Sequence, residues 1–183
     1  MTLLISGVVL WSLAHLFKRL APGLRARMGT GAKGLVAVLS VLAIWMMAVG
    51  YGQADSTLFW GTGPALRGVN NLLMLGAVAL MIVGHSRSRL RARLRHPMLL
   101  GVVVWAAAHV LVNGDLRSFV LFGGLGLWAA VSMVAINRAG DETAPWQGGT
   151  PAGDIRLAVM SLLAYAAIGA IHGWVGVSPF TGM

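Results

Sequence analysis

Six stretches of the chain are almost wholly apolar, and the charged residues fall mostly between them. They lie at about Leu3–Phe17, Gly34–Gly50, Leu66–Val83, Pro97–Val112, Phe119–Ile136 and Leu157–Val177. A helix needs roughly 17–25 residues to cross the hydrocarbon of a bilayer. The first and fourth runs are short and are expected to extend into their flanks. Lys18 and Arg19 can snorkel, which carries the first helix to about Leu20. The pattern predicts an all-α, polytopic membrane bundle of six transmembrane helices, forming one domain over residues 1–183.

Composition agrees. Of 183 residues, 57% are hydrophobic and 10% charged, against roughly 25% charged in a soluble domain. There is no cysteine, which excludes disulfides, thiol catalysis and iron–sulfur ligation by this chain. A cleaved signal peptide would place positive charge before its apolar run. Here the charges follow the run, so the first helix is expected to be retained.

The formal net charge of +9 is explained by its location. The segment between the first and second helices carries Lys18, Arg19, Arg25, Arg27 and Lys33. That between the third and fourth carries Arg87, Arg89, Arg91, Arg93 and Arg95. That between the fifth and sixth carries Arg138 and Arg156 with Asp141, Glu142 and Asp154. The two opposite loops hold only Asp55 with Arg67, and Asp115 with Arg117. Twelve of fourteen basic residues therefore share one side, which the positive-inside rule makes cytoplasmic. Both termini are then expected in the periplasm of an inner-membrane protein. The arginine run could lie on anionic headgroups, but orientation alone accounts for it, and nucleic acid is not an expected partner. The segment Asn137–Arg156 is rich in Gly, Thr, Pro and Asp and predicts a flexible loop, with Trp146 anchored at headgroup level.

One internal match carries chemistry. Gly7-Val-Val-Leu-Trp11-Ser-Leu-Ala-His15-Leu16 and Gly101-Val-Val-Val-Trp105-Ala-Ala-Ala-His109-Val110 agree at six of ten positions, in helices that run in opposite directions. This predicts an inverted 3+3 repeat with its pseudo-two-fold axis in the membrane plane. Residues four apart share a helix face, so Gly7, Trp11 and His15 form one stripe, and Gly101, Trp105 and His109 another. Glycine admits a neighbouring backbone or a flat ligand. Tryptophan offers an apolar wall, and histidine a nitrogen lone pair. A buried planar cofactor with an axial ligand, such as haem, needs those three. The alternative is a neutral histidine bonded to a neighbouring helix. If each histidine lies about four residues off centre, on opposite sides, the two are ~12 Å apart along the membrane normal at 1.5 Å per residue.

Among the other polar residues, His172, followed by Gly173 and Trp174, is the runner-up ligand or a proton-handling group. His85 and His96 flank the arginine loop and are expected at the interface, where they could meet an acidic cofactor group. Asn70 and Asn71 could cap the third helix or bond across the bundle. Asn113-Gly114-Asp115 reads as a turn. No paired carboxylates, phosphate loop or zinc spacing occurs in any span, so chemistry would come from histidine or a cofactor. No catalytic residue is assigned.

Arg95-His96-Pro97-Met98-Leu99-Leu100-Gly101, continuing through Trp105, His109 and Asn113-Gly114-Asp115 to Leu121-Phe122, resembles the signature region of the NnrU family. The opening helix with His15 and the closing Ile171-His172-Gly173-Trp174 through Ser178-Pro179 also fit it, so the resemblance covers nearly the whole chain. It implies a bacterial multi-spanning membrane protein associated with denitrification, including nitrite and nitric oxide reduction. Zeta-carotene isomerase, a relative, uses haem b, and by the resemblance His15 and His109 match its haem-ligand histidines. Ala106 stands where the isomerase has a cysteine linked to a change of ligand, which puts that redox-switched mechanism in doubt here. The leading expectation is a haem-b-binding inner-membrane protein of nitrogen-oxide metabolism, with a redox or denitrification partner. The alternatives are a haem-dependent polyene isomerase and a non-haem accessory or small-solute transport protein. Whether the chain is an enzyme is left open.

Overall fold

The computed structural model describes residues 1–140 and 146–180. The chain folds as α1 (Thr2–Leu20), α2 (Pro22–Arg27), α3 (Gly31–Gln53), β1 (Leu58–Trp60), α4 (Pro64–Val83), α5 (Pro97–Val112), β2 (Gly114–Asp115), α6 (Leu116–Ser118), α7 (Gly124–Arg138) and α8 (Pro151–Trp174). A π-helical turn, Phe119–Gly123, joins α6 to α7, and a 3-10 turn spans Arg89–Arg93. Five helical stretches are long and apolar enough to cross a membrane: α1, α3, α4, the continuous Leu116–Arg138 and α8. The fourth predicted helix, α5, is apolar but has 16 residues. That is ~24 Å at 1.5 Å per residue, short of the ~30 Å hydrocarbon layer. The molecule is an all-α, multi-pass membrane bundle.

Local chemistry sets the helix starts. Proline occupies the first turn of α2, α4, α5 and α8, where its missing N–H costs nothing. The Thr150 hydroxyl accepts from Gly153 N–H at 3.0 Å, and Asp115 accepts from Ser118 N–H at 2.8 Å. The Asp115 cap begins α6, and the Thr150 cap begins α8 at Pro151, six residues before the apolar run at Leu157. Part of the segment expected to be a loop is thus the first turns of a helix. The Asn113-Gly114-Asp115 turn signal is also resolved differently, because Gly114 and Asp115 pair antiparallel with Trp60 and Leu58.

Small residues set the packing. α1 runs antiparallel to α3, with Gly7 against Met47 and the Ala43 carbonyl, and Gly50 against the Leu4 backbone. α5 runs antiparallel to α4, with Gly101 against Met81 and the Ala77 carbonyl. Each stripe glycine therefore faces an Ala-x-x-x-Met pair on its partner helix, where lipid offers no hydrophobic drive and close backbone approach does the work. The chain order differs. Gly7 meets the helix that follows its own, and Gly101 the helix that precedes it. α7 lies parallel to α1, with Gly124 against Val8, and antiparallel to α5, with Gly126 against the Ala106 methyl. α8 packs on α4. Large apolar side chains such as Val38, Val41, Leu72, Leu127 and Leu163 point outward, as lipid-facing residues do.

The arginine segment is a docked structure. Asp154, in the first turn of α8, accepts from the Ser88 hydroxyl at 2.7 Å, from Arg89 N–H at 2.9 Å and from Arg89 Nε at 2.6 Å. Thr150 N–H donates to the Arg87 carbonyl at 2.9 Å, and Gly153 lies against the same peptide with no room for a side chain. The Arg91 guanidinium sits 4.8 Å over the Trp146 ring, so Trp146 has a cation–π partner as well as its expected place near the interface. Asp141 and Glu142 lie outside the described residues.

Candidate functional site

The two stripes converge on one cavity. Trp11 from α1, Met81 from α4, Val102 and Trp105 from α5, and Leu125 and Trp128 from α7 line an open pocket of about 220 Å³, and the surface they present to it is apolar. Trp128 was not singled out by the sequence. It packs edge-on to Trp11, with ring centroids 5.6 Å apart, and to His15 at 5.2 Å. It joins the stripes because α7 passes beside both α1 and α5.

The histidines stand at the two ends of this cavity and are not part of its wall. His15 stacks on Trp11 at 4.0 Å. His109 lies 5.0 Å from Trp105 and 4.4 Å from Phe122. Phe122 belongs to the π-helical turn, a feature common near functional sites and not foreshadowed by any residue pattern. Nδ1 of His15 lies 2.9 Å from the Trp11 carbonyl, and Nδ1 of His109 lies 2.9 Å from the Trp105 carbonyl. A carbonyl oxygen only accepts, so Nδ1 carries the hydrogen in both. In the neutral ring Nε2 then presents a lone pair. The same bond tips each ring toward the N-terminus of its own helix. Because α1 and α5 are antiparallel, both rings tip toward the middle of the bundle. With α7 as the ruler, His15 stands beside Trp128 and His109 beside Phe122, six residues apart, or ~9 Å of helix rise.

The remaining predicted residues occupy distinct places. Gly7 and Gly101 carry helix–helix contacts, so of the two uses open to them the structure shows close backbone approach. His172, exposed on α8, repeats the tautomer, with Nδ1 at 2.8 Å from the Ile168 carbonyl. His96 bonds through Nε2 to Asn137 Oδ1 at 2.8 Å, tying the start of α5 to the end of α7. His85 is exposed at the end of α4. Asn70 is buried and donates to Asn71 Oδ1 at 3.1 Å, and Asn71 donates to the Pro179 carbonyl at 3.1 Å, so the pair holds the chain's last described segment onto α4. Ala106 is buried against Gly126.

Among the described residues no group of three or more His, Cys, Asp or Glu could hold a metal ion. A haem iron does not need one, because the porphyrin supplies four ligands and the protein one or two. The two histidines, each with Nδ1 fixed by a carbonyl, have the second-shell arrangement usual for metal-ligating imidazole. The donor set and the apolar, tryptophan-lined pocket therefore suit a planar metallated ring in chemistry, though not in size. The volume is below the roughly 300–1,000 Å³ of pockets that hold drug-sized ligands, so entry of such a ring requires α1 and α5 to separate.

This arrangement defines a class: a multi-pass α-helical membrane protein whose antiparallel histidine-bearing helices bracket an apolar cavity. The chain belongs to the NnrU family, whose model, described as NnrU protein, matches residues 3–179. No curated protein and no solved structure matches it.

Proposed function

We propose that this protein binds haem b in the inner membrane and serves nitrogen-oxide metabolism through it, with His15 and His109 as the axial ligands. One observation carries the reading: both histidines have Nδ1 held by the carbonyl one turn back, which leaves Nε2 for a ligand, and they stand at the two ends of a single apolar pocket. Trp11, Trp105 and Trp128 would flank the ring and exclude water. The Trp11 and Trp105 carbonyls would hold the two imidazoles in the ligating tautomer. Haem bound there supplies one-electron chemistry, which suits a redox partner in denitrification. The ~9 Å offset along α7 means that α1 and α5 must slide as they separate if both histidines are to reach one iron. The test is the absorption spectrum of the purified protein, oxidised and reduced. Intense bands that shift on reduction, at about one haem per chain, support the reading. A chain expressed with ample haem that shows none removes it.

The topology belongs to the same proposal: six passes, with both termini in the periplasm. Its support is the placement of twelve of the fourteen basic residues on one side. A reporter active only in the cytoplasm, fused after Met183, is expected to be silent, and one fused within Arg87–Arg95 to be active. The reverse pattern would overturn the orientation.

A further inference from the structure

A second cavity adjoins the first. Met81, Gly84, Arg95, His96, Pro97, Met98 and Leu99 line an open pocket of about 230 Å³ on the arginine-loop side of the bundle. Met81 borders both pockets, and its side chain is flexible. The two differ in chemistry, since the first presents only apolar surface and the second, whose lining includes Arg95 and His96, also presents polar surface. Gly84 leaves its side open, because a side chain there would touch nothing within 4 Å. Val102, in the first cavity, and Met98, in the second, are one helical turn apart on α5, ~6 Å.

Arg95 has no ion-pair or hydrogen-bond partner among the described residues. Asp154 is engaged by Ser88 and Arg89, Asp115 lies beside Arg117 in an opposite loop, and Asp55 is in the other opposite loop. His96 donates through Nε2 to Asn137 Oδ1, which leaves Nδ1 as its other hydrogen-bonding atom. The neighbouring basic side chains Arg89 and Arg91 are held by Asp154 and Trp146, and of the five arginines in this segment Arg95 is the one that lines the pocket.

We propose that the Arg95–His96 pocket receives a carboxylate of an amphipathic ring cofactor whose apolar body fills the tryptophan cavity, with Met81 between the two. This rests on the haem reading above, for haem b is a flat apolar ring with carboxylates at one edge. A headgroup of an anionic lipid offers the same chemistry, and the experiment separates the two sources.

The protein, purified without haem and placed in discs of zwitterionic lipid, is titrated with iron protoporphyrin IX and with its dimethyl ester, followed by absorbance and by quenching of tryptophan fluorescence. The wild type should bind the free acid about tenfold more tightly than the ester, the scale of one charge-assisted hydrogen bond. Arg95→Gln should remove that preference by weakening the free acid alone, Arg95→Lys should retain most of it, and Arg93→Gln should leave it unchanged. Equal weakening of both porphyrins by Arg95→Gln, with Arg95→Lys no better, overturns the assignment. So does an equal effect from Arg93→Gln, which would assign the preference to diffuse loop charge. An Arg95 effect confined to discs containing anionic lipid gives the pocket to a headgroup and also overturns it. Wild type that binds acid and ester alike overturns this inference and leaves the haem reading standing. Wild type that binds neither removes both.

Discussion

His109→Ala should abolish or strongly shift the haem absorbance of the purified protein, and His15→Ala should do the same. Each substitution removes a nitrogen whose lone pair is preset by the carbonyl one turn back. Loss of second-shell partners alone commonly costs ten- to a hundredfold in metal affinity, so loss of a ligand should cost at least about tenfold in haem content. His85→Ala, at the exposed end of α4, should leave the spectrum unchanged. The two positions carry different risks. His109 sits in a packed environment of Trp105 and Phe122, whereas His15 reaches a shared iron only if α1 slides against α5. If His15→Ala leaves the spectrum intact while His172→Ala destroys it, the pair is His109 with His172, which carries the same tautomer. If neither change nor His109→Ala matters, the stripes are packing and the haem reading is lost.

Gly50→Ala should destabilise the bundle, while Gly52→Ala on the same helix should not. A methyl at Gly50 would lie 2.5 Å from Leu4 N and 2.8 Å from Leu4 Cα. These are backbone atoms of α1 and cannot rotate away, so α1 must shift off α3. Overpacking of this kind costs about 1–3 kcal/mol. A methyl at Gly52 meets nothing within 4 Å, and exchanging helical glycine for alanine gains up to about 1 kcal/mol. Thermal unfolding in detergent should therefore move in opposite directions for the two variants. Equal melting temperatures would mean that α1 and α3 are not held by this contact. Because α1 carries Trp11 and His15, Gly50→Ala should also reduce any haem bound per folded molecule.

The sequence by itself determined the membrane class, the positions of the apolar runs and the pairing of Gly, Trp and His on α1 and α5. Those features are local: an apolar run long enough to cross lipid has to be helical, and a four-residue spacing has to share a face. The resemblance read from Arg95 through Phe122 likewise needed no coordinates, and the family match over residues 3–179 bears it out. Tertiary structure decided the rest. That the two stripes border one cavity depends on α7 passing between α1 and α5 and adding Trp128, which no spacing rule connects to Trp11. That the glycines serve helix contacts depends on which neighbours meet them: Met47, 40 residues along the chain from Gly7, and Met81, 20 residues from Gly101. The early start of α8 and the docking of the arginine loop depend on Asp154, an acid that in sequence reads as one more loop charge. It meets Ser88 and Arg89 only because α8 lies against α4. Spacing along a helix reports the face a side chain shares with its own neighbours. What that face meets is set by how antiparallel helices are offset, and that offset is fixed by close contacts between residues far apart in the chain.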